Sequence, residues 1–311
     1  SLFIFFIIFL FYILFTFFIS LEKIIYLKSL KYFFAFILIY LYLNTLNLKK
    51  FNIFFFRLCC AIVLLECISI NTFLDQEILY VNPTKAFFFD FYKRPPSIIG
   101  TPSLTANFLI LLFYYFYVYK RNDLLFIDYL LLFLTILLLF SLTGFLLLFF
   151  LFLIFFLNNK SKTSADWSYF LILLIFSLSI IYLLFFLEQN YLSEFFNFQK
   201  ISPSYFMKIL SSHYKDFLIY IDSPISYNYI FGNQIIGQLN TSGHNGFLIL
   251  IQATGVYGFF LFFVFMIIAI KDKKNFLSLF VIVLLSCFHY YGLGNILIQI
   301  IIAKLLIEND K

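Results

Sequence analysis

The chain is a succession of apolar runs parted by short charged connections, and that pattern limits its fold more than any other feature. Ser1 to Leu21, Phe51 to Ile70 and Leu104 to Tyr119 are each long and almost free of charge. An α-helix rises about 1.5 Å per residue, so runs of about 20 residues cross the roughly 30 Å of a bilayer's hydrocarbon. In hydrocarbon every backbone N–H and C=O must be paired within the chain, which admits only helices and closed barrels. A barrel would show short segments of alternating polarity, and none is visible. With 64% hydrophobic and 12% charged residues and a mean hydropathy of +1.02, the composition lies far outside that of soluble domains. The expected fold class is all-α: a single polytopic integral membrane domain over residues 1–311, with about ten transmembrane helices.

The placement of charge predicts orientation. Lys49 with Lys50, Lys120 with Arg121, Lys160 with Lys162, and Lys271 with Lys273 and Lys274 all fall in very short connections. Alternating the spans puts these on one side, which the bias of Lys and Arg towards the cytoplasm makes the inner one. Two long loops, about 71–103 and 188–243, then face outward. The patch around Lys23, Lys28 and Lys31 falls on the opposite side from the other basic clusters. A net charge of +6 distributed in this way reads as orientation, and nucleic acid is not expected as a partner. The chain starts on Ser1 inside an apolar run, so the natural N-terminus is expected upstream. The first run has neither a basic leader nor a cleavage signal, which argues against a signal peptide.

Isolated features within the spans read as structural. Cys59, Cys60, Cys67 and Cys287 fall in apolar runs without metal-type spacing and are expected to be inert packing residues. Arg57 and Glu66 lie in one span on opposite helical faces, so they cannot pair with each other. Each sits within about two turns of an end, and snorkelling towards water is the expected fate of both. Trp167 opens a span as an interface anchor. Ser141 to Gly144, SLTG, is expected to be a tight turn between two helices.

The stretch Thr241 to Phe260, TSGHNGFLILIQATGVYGFF, holds the main candidate for chemistry. His244 and Asn245 stand where a polar loop enters an apolar run expected to be one span from His244 to Ile270. A histidine there, with a pKa near neutrality, can act as a base towards a reactant at the membrane surface. Gly255 and Gly258 follow, suited to close helix approach. In the long loops, Arg94 precedes Pro95 and Pro96, and His213 stands among Lys208, Lys215 and Asp216. Asp75 and Glu77 form an acidic pair of a kind that can hold a divalent cation, but no other acidic cluster has ligand spacing. The expected chemistry therefore needs no metal and no other cofactor. A carrier is disfavoured because no internal repeat is visible and most spans lack charge at mid-length.

Three segments together resemble the O-antigen polymerase and O-antigen ligase superfamily. GHNGFLILIQATGVYGFFLFF is similar to its His-Asn pair leading into a glycine-bearing helix. RPPSIIGTPSLTANFLILL resembles the upstream element in which an Arg precedes a turn into a helix, and SLTGFLLLFF resembles the short Ser-x-x-Gly element. The resemblance runs from about Arg94 to Phe263. It implies a glycosyltransferase acting on the periplasmic face of the bacterial inner membrane, with an undecaprenyl-diphosphate-linked oligosaccharide as donor. On that scheme His244 is the base and Arg94 clamps the departing diphosphate, the two catalytic residues. Asn245, Lys208, Lys215 and His213 are candidate substrate-binding residues, and a chain-length regulator protein is an implied partner beside membrane lipid. Many relatives, ligases especially, carry an Arg in the Ser-x-x-Gly element where this chain has Leu142. That departure favours a polymerase over a ligase transferring glycan to a lipid A core. A polysaccharide-unit flippase is the alternative outside the enzyme class.

Overall fold

The computed structural model describes residues 2–19, 35–45, 51–72, 84–85, 93–94, 99–158, 230–232, 246–272, 274–288 and 292–308. The regular structure among these residues is helical apart from one two-residue antiparallel ladder. In chain order the helices are α1 (Leu2–Ile19), α2 (Ala35–Thr45), α3 (Ile53–Thr72), α4 (Pro102–Tyr119), α5 (Phe126–Leu139), α6 (Leu142–Asn158), α7 (Gly246–Ala269), α8 (Phe276–Phe288) and α9 (Ile296–Ile307). Strands β1 (Thr84–Lys85) and β2 (Lys93–Arg94) pair between α3 and α4, with Thr84 opposite Arg94. Two stretches, Ile53–Asn71 and Pro102–Tyr119, are long and apolar enough to cross a membrane. The other described helices are apolar but shorter over their regular length. The expected span starting at Trp167 lies outside the described residues, as do Lys23, Lys28, Lys31, Asp75 and Glu77.

Helix α4 is the centre of the bundle. It packs against α3, α5, α6, α8 and α9, and only Ser103, Leu104 and Val118 of its residues escape full burial. Its start is well specified locally. Thr101 caps it, accepting a hydrogen bond from the Leu104 amide at 3.3 Å, and Pro102 follows where a missing N–H costs nothing. Helix α9 is capped in the same manner by Asn295, which accepts from the Leu297 amide at 2.9 Å.

Long-range hydrogen bonds gather alternate helix ends. The Tyr40 hydroxyl on α2 donates to the Ala269 carbonyl at the end of α7, 3.1 Å away. The Lys271 amide donates to Leu306 of α9 at 3.0 Å, and its ammonium reaches Asn44 of α2. Tyr119, closing α4, donates to Leu305 at 3.0 Å. The ends of α2, α4, α7 and α9 therefore share one end of the bundle, and with them come Lys120, Arg121, Lys271 and Lys274. The described basic connections thus meet at a single end, as the alternation of apolar runs predicts. Lys49, Lys50, Lys160, Lys162 and Lys273 lie outside the described residues.

Arg57 does not end its side chain in free solvent, as snorkelling would have it. Its guanidinium forks onto Asp128 at the start of α5, with Nε to Oδ1 at 2.7 Å and Nη2 to Oδ2 at 2.9 Å. Asp128 is fully buried, whereas the Arg57 side chain is 33% exposed. The second carboxylate oxygen also accepts from the Leu125 amide at 2.9 Å, one of the donors that a helix start leaves unpaired. Arg57 is partly exposed, and the carboxylate is supplied with three donors at ideal lengths. Pairing across helices therefore prevails over snorkelling, because a buried carboxylate without its cation is far costlier than a shared one.

Removing one partner strands the other. We expect Arg57→Leu, which leaves the buried Asp128 carboxylate unpaired, to destabilise the protein by about 3–5 kcal/mol, and Asp128→Leu, which leaves a partly exposed guanidinium, to cost less. The double variant Arg57→Leu/Asp128→Leu should recover most of that loss. Denaturant unfolding of the four proteins in mixed micelles reads this directly, and additive losses would show that the pair is not coupled.

Candidate functional site

At the end of the bundle opposite the basic residues, the elements RPPSIIGTPS and SLTG come into contact. Ser103 in the first turn of α4 accepts a hydrogen bond from the Ser141 hydroxyl at 3.0 Å. Ser141 in turn accepts from the Gly144 amide at 3.2 Å and lies 2.9 Å from the Thr143 hydroxyl. Ser141 is thus the cap of α6, and Leu142 to Gly144 are already helical. The expected tight turn at Ser141–Gly144 is corrected accordingly. The reversal is made one residue earlier, by Phe140 in the left-handed region at φ 44°. Gly144 serves closeness instead: a methyl there would stand 2.8 Å from the Cβ of Ala106. The two helices approach at a spot where neither carries more than a methyl.

One turn below Ser103, Asn107 donates through Nδ2 to the Ser286 carbonyl of α8 at 3.1 Å. Its Oδ1 is buried with no hydrogen-bond partner among the described residues, an acceptor open to a donor. Sequence reasoning passed over Asn107 because one amide in an apolar run carries no motif of its own. The starts of α4, α6 and α9 lie at this same end, so the partial positive charge of three helix N-termini is concentrated there.

The segment after His244 does not form the straight span expected of His244 to Ile270. Helix α7 is broken at Gly255, whose φ of 69° and ψ of 178° are not helical. Phe247 and Phe259 flank the break with ring centroids 6.1 Å apart. In a straight helix residues twelve apart would be separated by about 18 Å along the axis. Helical side chains all lean towards the N-terminus, so the two rings would keep about that separation. The limb Gly246–Thr254 is therefore turned sharply aside from the limb Val256–Ala269. Ile230, Phe231 and Gly232, which belong to the expected outer loop 188–243, are lodged at the bend. A methyl on Gly255 would collide with the Ile230 carbonyl, and one on Gly232 with the backbone of Ala253. Both glycines have positive φ, a conformation that side-chain-bearing residues rarely hold.

Of the candidate residues, Arg94 has a described backbone: it pairs with Thr84 in the small ladder, and β2 lies against α3. His244, Asn245, Lys208, Lys215 and His213 lie outside the described residues. Gly246, directly after Asn245, is buried at the start of α7. Two of the three resembling elements are thus in contact, whereas α7, which carries the third, packs against α1, α8 and α9. Among the described residues no three His, Cys, Asp or Glu side chains are grouped as metal ligands. Cys59, Cys60 and Cys67 are buried, and none forms a disulfide among the described residues. No family model, no curated protein and no solved structure matches this chain.

Gly144 offers a test of the contact between the two elements. Gly144→Ala should force α4 and α6 apart and cost about 1–3 kcal/mol, as overpacking of a tight contact does. Adding Ala106→Gly should return part of that stability by freeing the same space. Unfolding midpoints in detergent for the three proteins measure both effects.

Proposed function

We propose that the protein is a membrane-embedded glycosyltransferase of the O-antigen polymerase type, which joins lipid-diphosphate-linked oligosaccharide units. On this reading it spans the bacterial inner membrane about ten times, with the basic end of the bundle cytoplasmic and the opposite end periplasmic. The observation that carries the proposal is the contact of RPPSIIGTPS with SLTG through Ser103 and Ser141. Segments that resemble one family's elements, separated in sequence, meet at the end away from the basic residues. That is where a lipid-linked donor displayed outside the cell membrane would be met.

The chemistry sets clear demands. An acceptor sugar hydroxyl attacks the anomeric carbon of the donor sugar, and the lipid diphosphate departs with the bonding electrons. His244 takes the proton of the attacking hydroxyl. The charge that develops on the diphosphate is held by Arg94, whose guanidinium suits forked contact with phosphate oxygens. Asn245 orients a sugar, while Lys208, Lys215 and His213 lie in the same long loop and add donors for the anion. The converging starts of α4, α6 and α9 favour a negative charge at this end. Leu142, in place of an anion-binding Arg, favours the polymerase over the ligase.

His244→Ala and Arg94→Ala should each abolish glycan elongation without changing the amount of protein in the membrane. Surface glycan resolved by gel electrophoresis, beside an immunoblot, reports both, and normal chain-length ladders would defeat the assignment. Deleting a polymerase leaves single units attached at the surface, deleting a ligase leaves none attached, and deleting a flippase traps units on the inner face. Transfer by purified protein should also survive EDTA. Loss of activity restored by a divalent ion would overturn the metal-independent mechanism.

A further inference from the structure

The bend in α7 is held from outside the helix, and Tyr12 of α1 is central to it. The Tyr12 hydroxyl donates to the Thr254 carbonyl at 2.7 Å and lies 3.5 Å from the Phe231 carbonyl. In an unbroken helix the Thr254 carbonyl would accept from the amide of Gly258, four residues on. Tyr12 can approach because Gly258 has no side chain: a methyl there would stand 2.7 Å from the Tyr12 oxygen and 2.7 Å from Thr254 Oγ1. Gly258 thus admits the phenol, while Gly232 and Gly255 admit the backbone contact at the bend. The phenol gives the Thr254 carbonyl, next to the break, a donor from outside the helix.

The same residues have a second arrangement within reach. Gly246–Ala269 is 24 residues long, enough for a continuous rod of about 36 Å. Glycine passes between left-handed and helical φ at little cost, so rotation at Gly255 alone converts one form to the other. Straightening requires Ile230–Gly232, now seated against Ala253 and Gly255, to leave the bend. Both forms satisfy the Thr254 carbonyl, as any alternative inside an apolar bundle must.

We propose that Gly255 is a hinge and Tyr12 its latch. While Tyr12 is bonded to Thr254, the limb Gly246–Thr254 is folded aside with Ile230–Gly232 seated against it. When the bond is lost, α7 straightens. The inference goes beyond the glycosyltransferase reading and is tested without it, since the readout is a distance and not an activity.

The test uses the full chain in lipid nanodiscs, with Cys59, Cys60, Cys67 and Cys287 replaced by alanine. Spin labels go at Ile249 on one limb and Ile267 on the other, where Ile267 is 49% exposed. A straight α7 would place these backbone positions about 27 Å apart. With Tyr12 present, pulsed electron resonance should give a shorter distance. Tyr12→Phe, which removes one oxygen, should add a population near about 27 Å, and Gly258→Ala should do the same by displacing the phenol. A Tyr12→Phe distribution identical to the reference would overturn the latch, whatever Gly258→Ala shows. So would a reference protein already centred at the long distance.

Discussion

Polar groups within an apolar bundle need partners in the chain, and meeting that need organises this structure, with Asn107 Oδ1 an exception among the described residues. Hydrophobicity cannot do so alone, because the outside is as apolar as the inside. Phe3, Phe11 and Phe18 of α1 and Phe54 and Leu65 of α3 are exposed, while Phe36, Phe56 and Phe113 are buried. Exchanging one face for another would cost such helices little in a lipid setting. What distinguishes one packing from another is where the few donors and acceptors end up. Arg57 with Asp128 sets α3 against α5, Tyr40 ties α2 to α7, and Tyr119 ties α4 to α9.

Small residues provide the second kind of specificity, and they act in two ways. Gly144 opposite Ala106 permits two helices to touch with ordinary helical geometry. Gly255 and Gly232 instead permit backbone conformations that a Cβ would strain, so a helix can bend around an inserted segment. The spacing of Gly255 and Gly258 suggests helix contact. Its actual use is divided: one glycine makes the bend, and the other admits the phenol that stabilises it. These contacts tie the proposed site's surroundings to helix α1, at the far end of the sequence.

The legible part of the candidate site was its neighbourhood. Ser103 and Ser141 stand in segments already singled out by their motifs, and the alternation of spans assigned both to one end. Their hydrogen bond, 38 residues apart in the chain, could not be read from spacing. Asn107 and Tyr12 were missed for a related reason. A lone amide or phenol in an apolar run has no local signature, and its importance comes entirely from the carbonyl it meets. The bend was missed because a glycine within a hydrophobic run reads equally well as a helix contact.

Apolar run length and the clustering of Lys and Arg in short connections are local properties. From them alone followed the helical class, the positions of most described helices and the shared end of Lys120, Arg121, Lys271 and Lys274. The partner of Arg57, the central place of α4 and the break at Gly255 required the folded chain. Each depends on groups far apart in sequence, 71 residues for Arg57 and Asp128 and 242 for Tyr12 and Thr254. In a chain whose helices are apolar on every side, no pattern along a single helix marks the face that will meet such a partner.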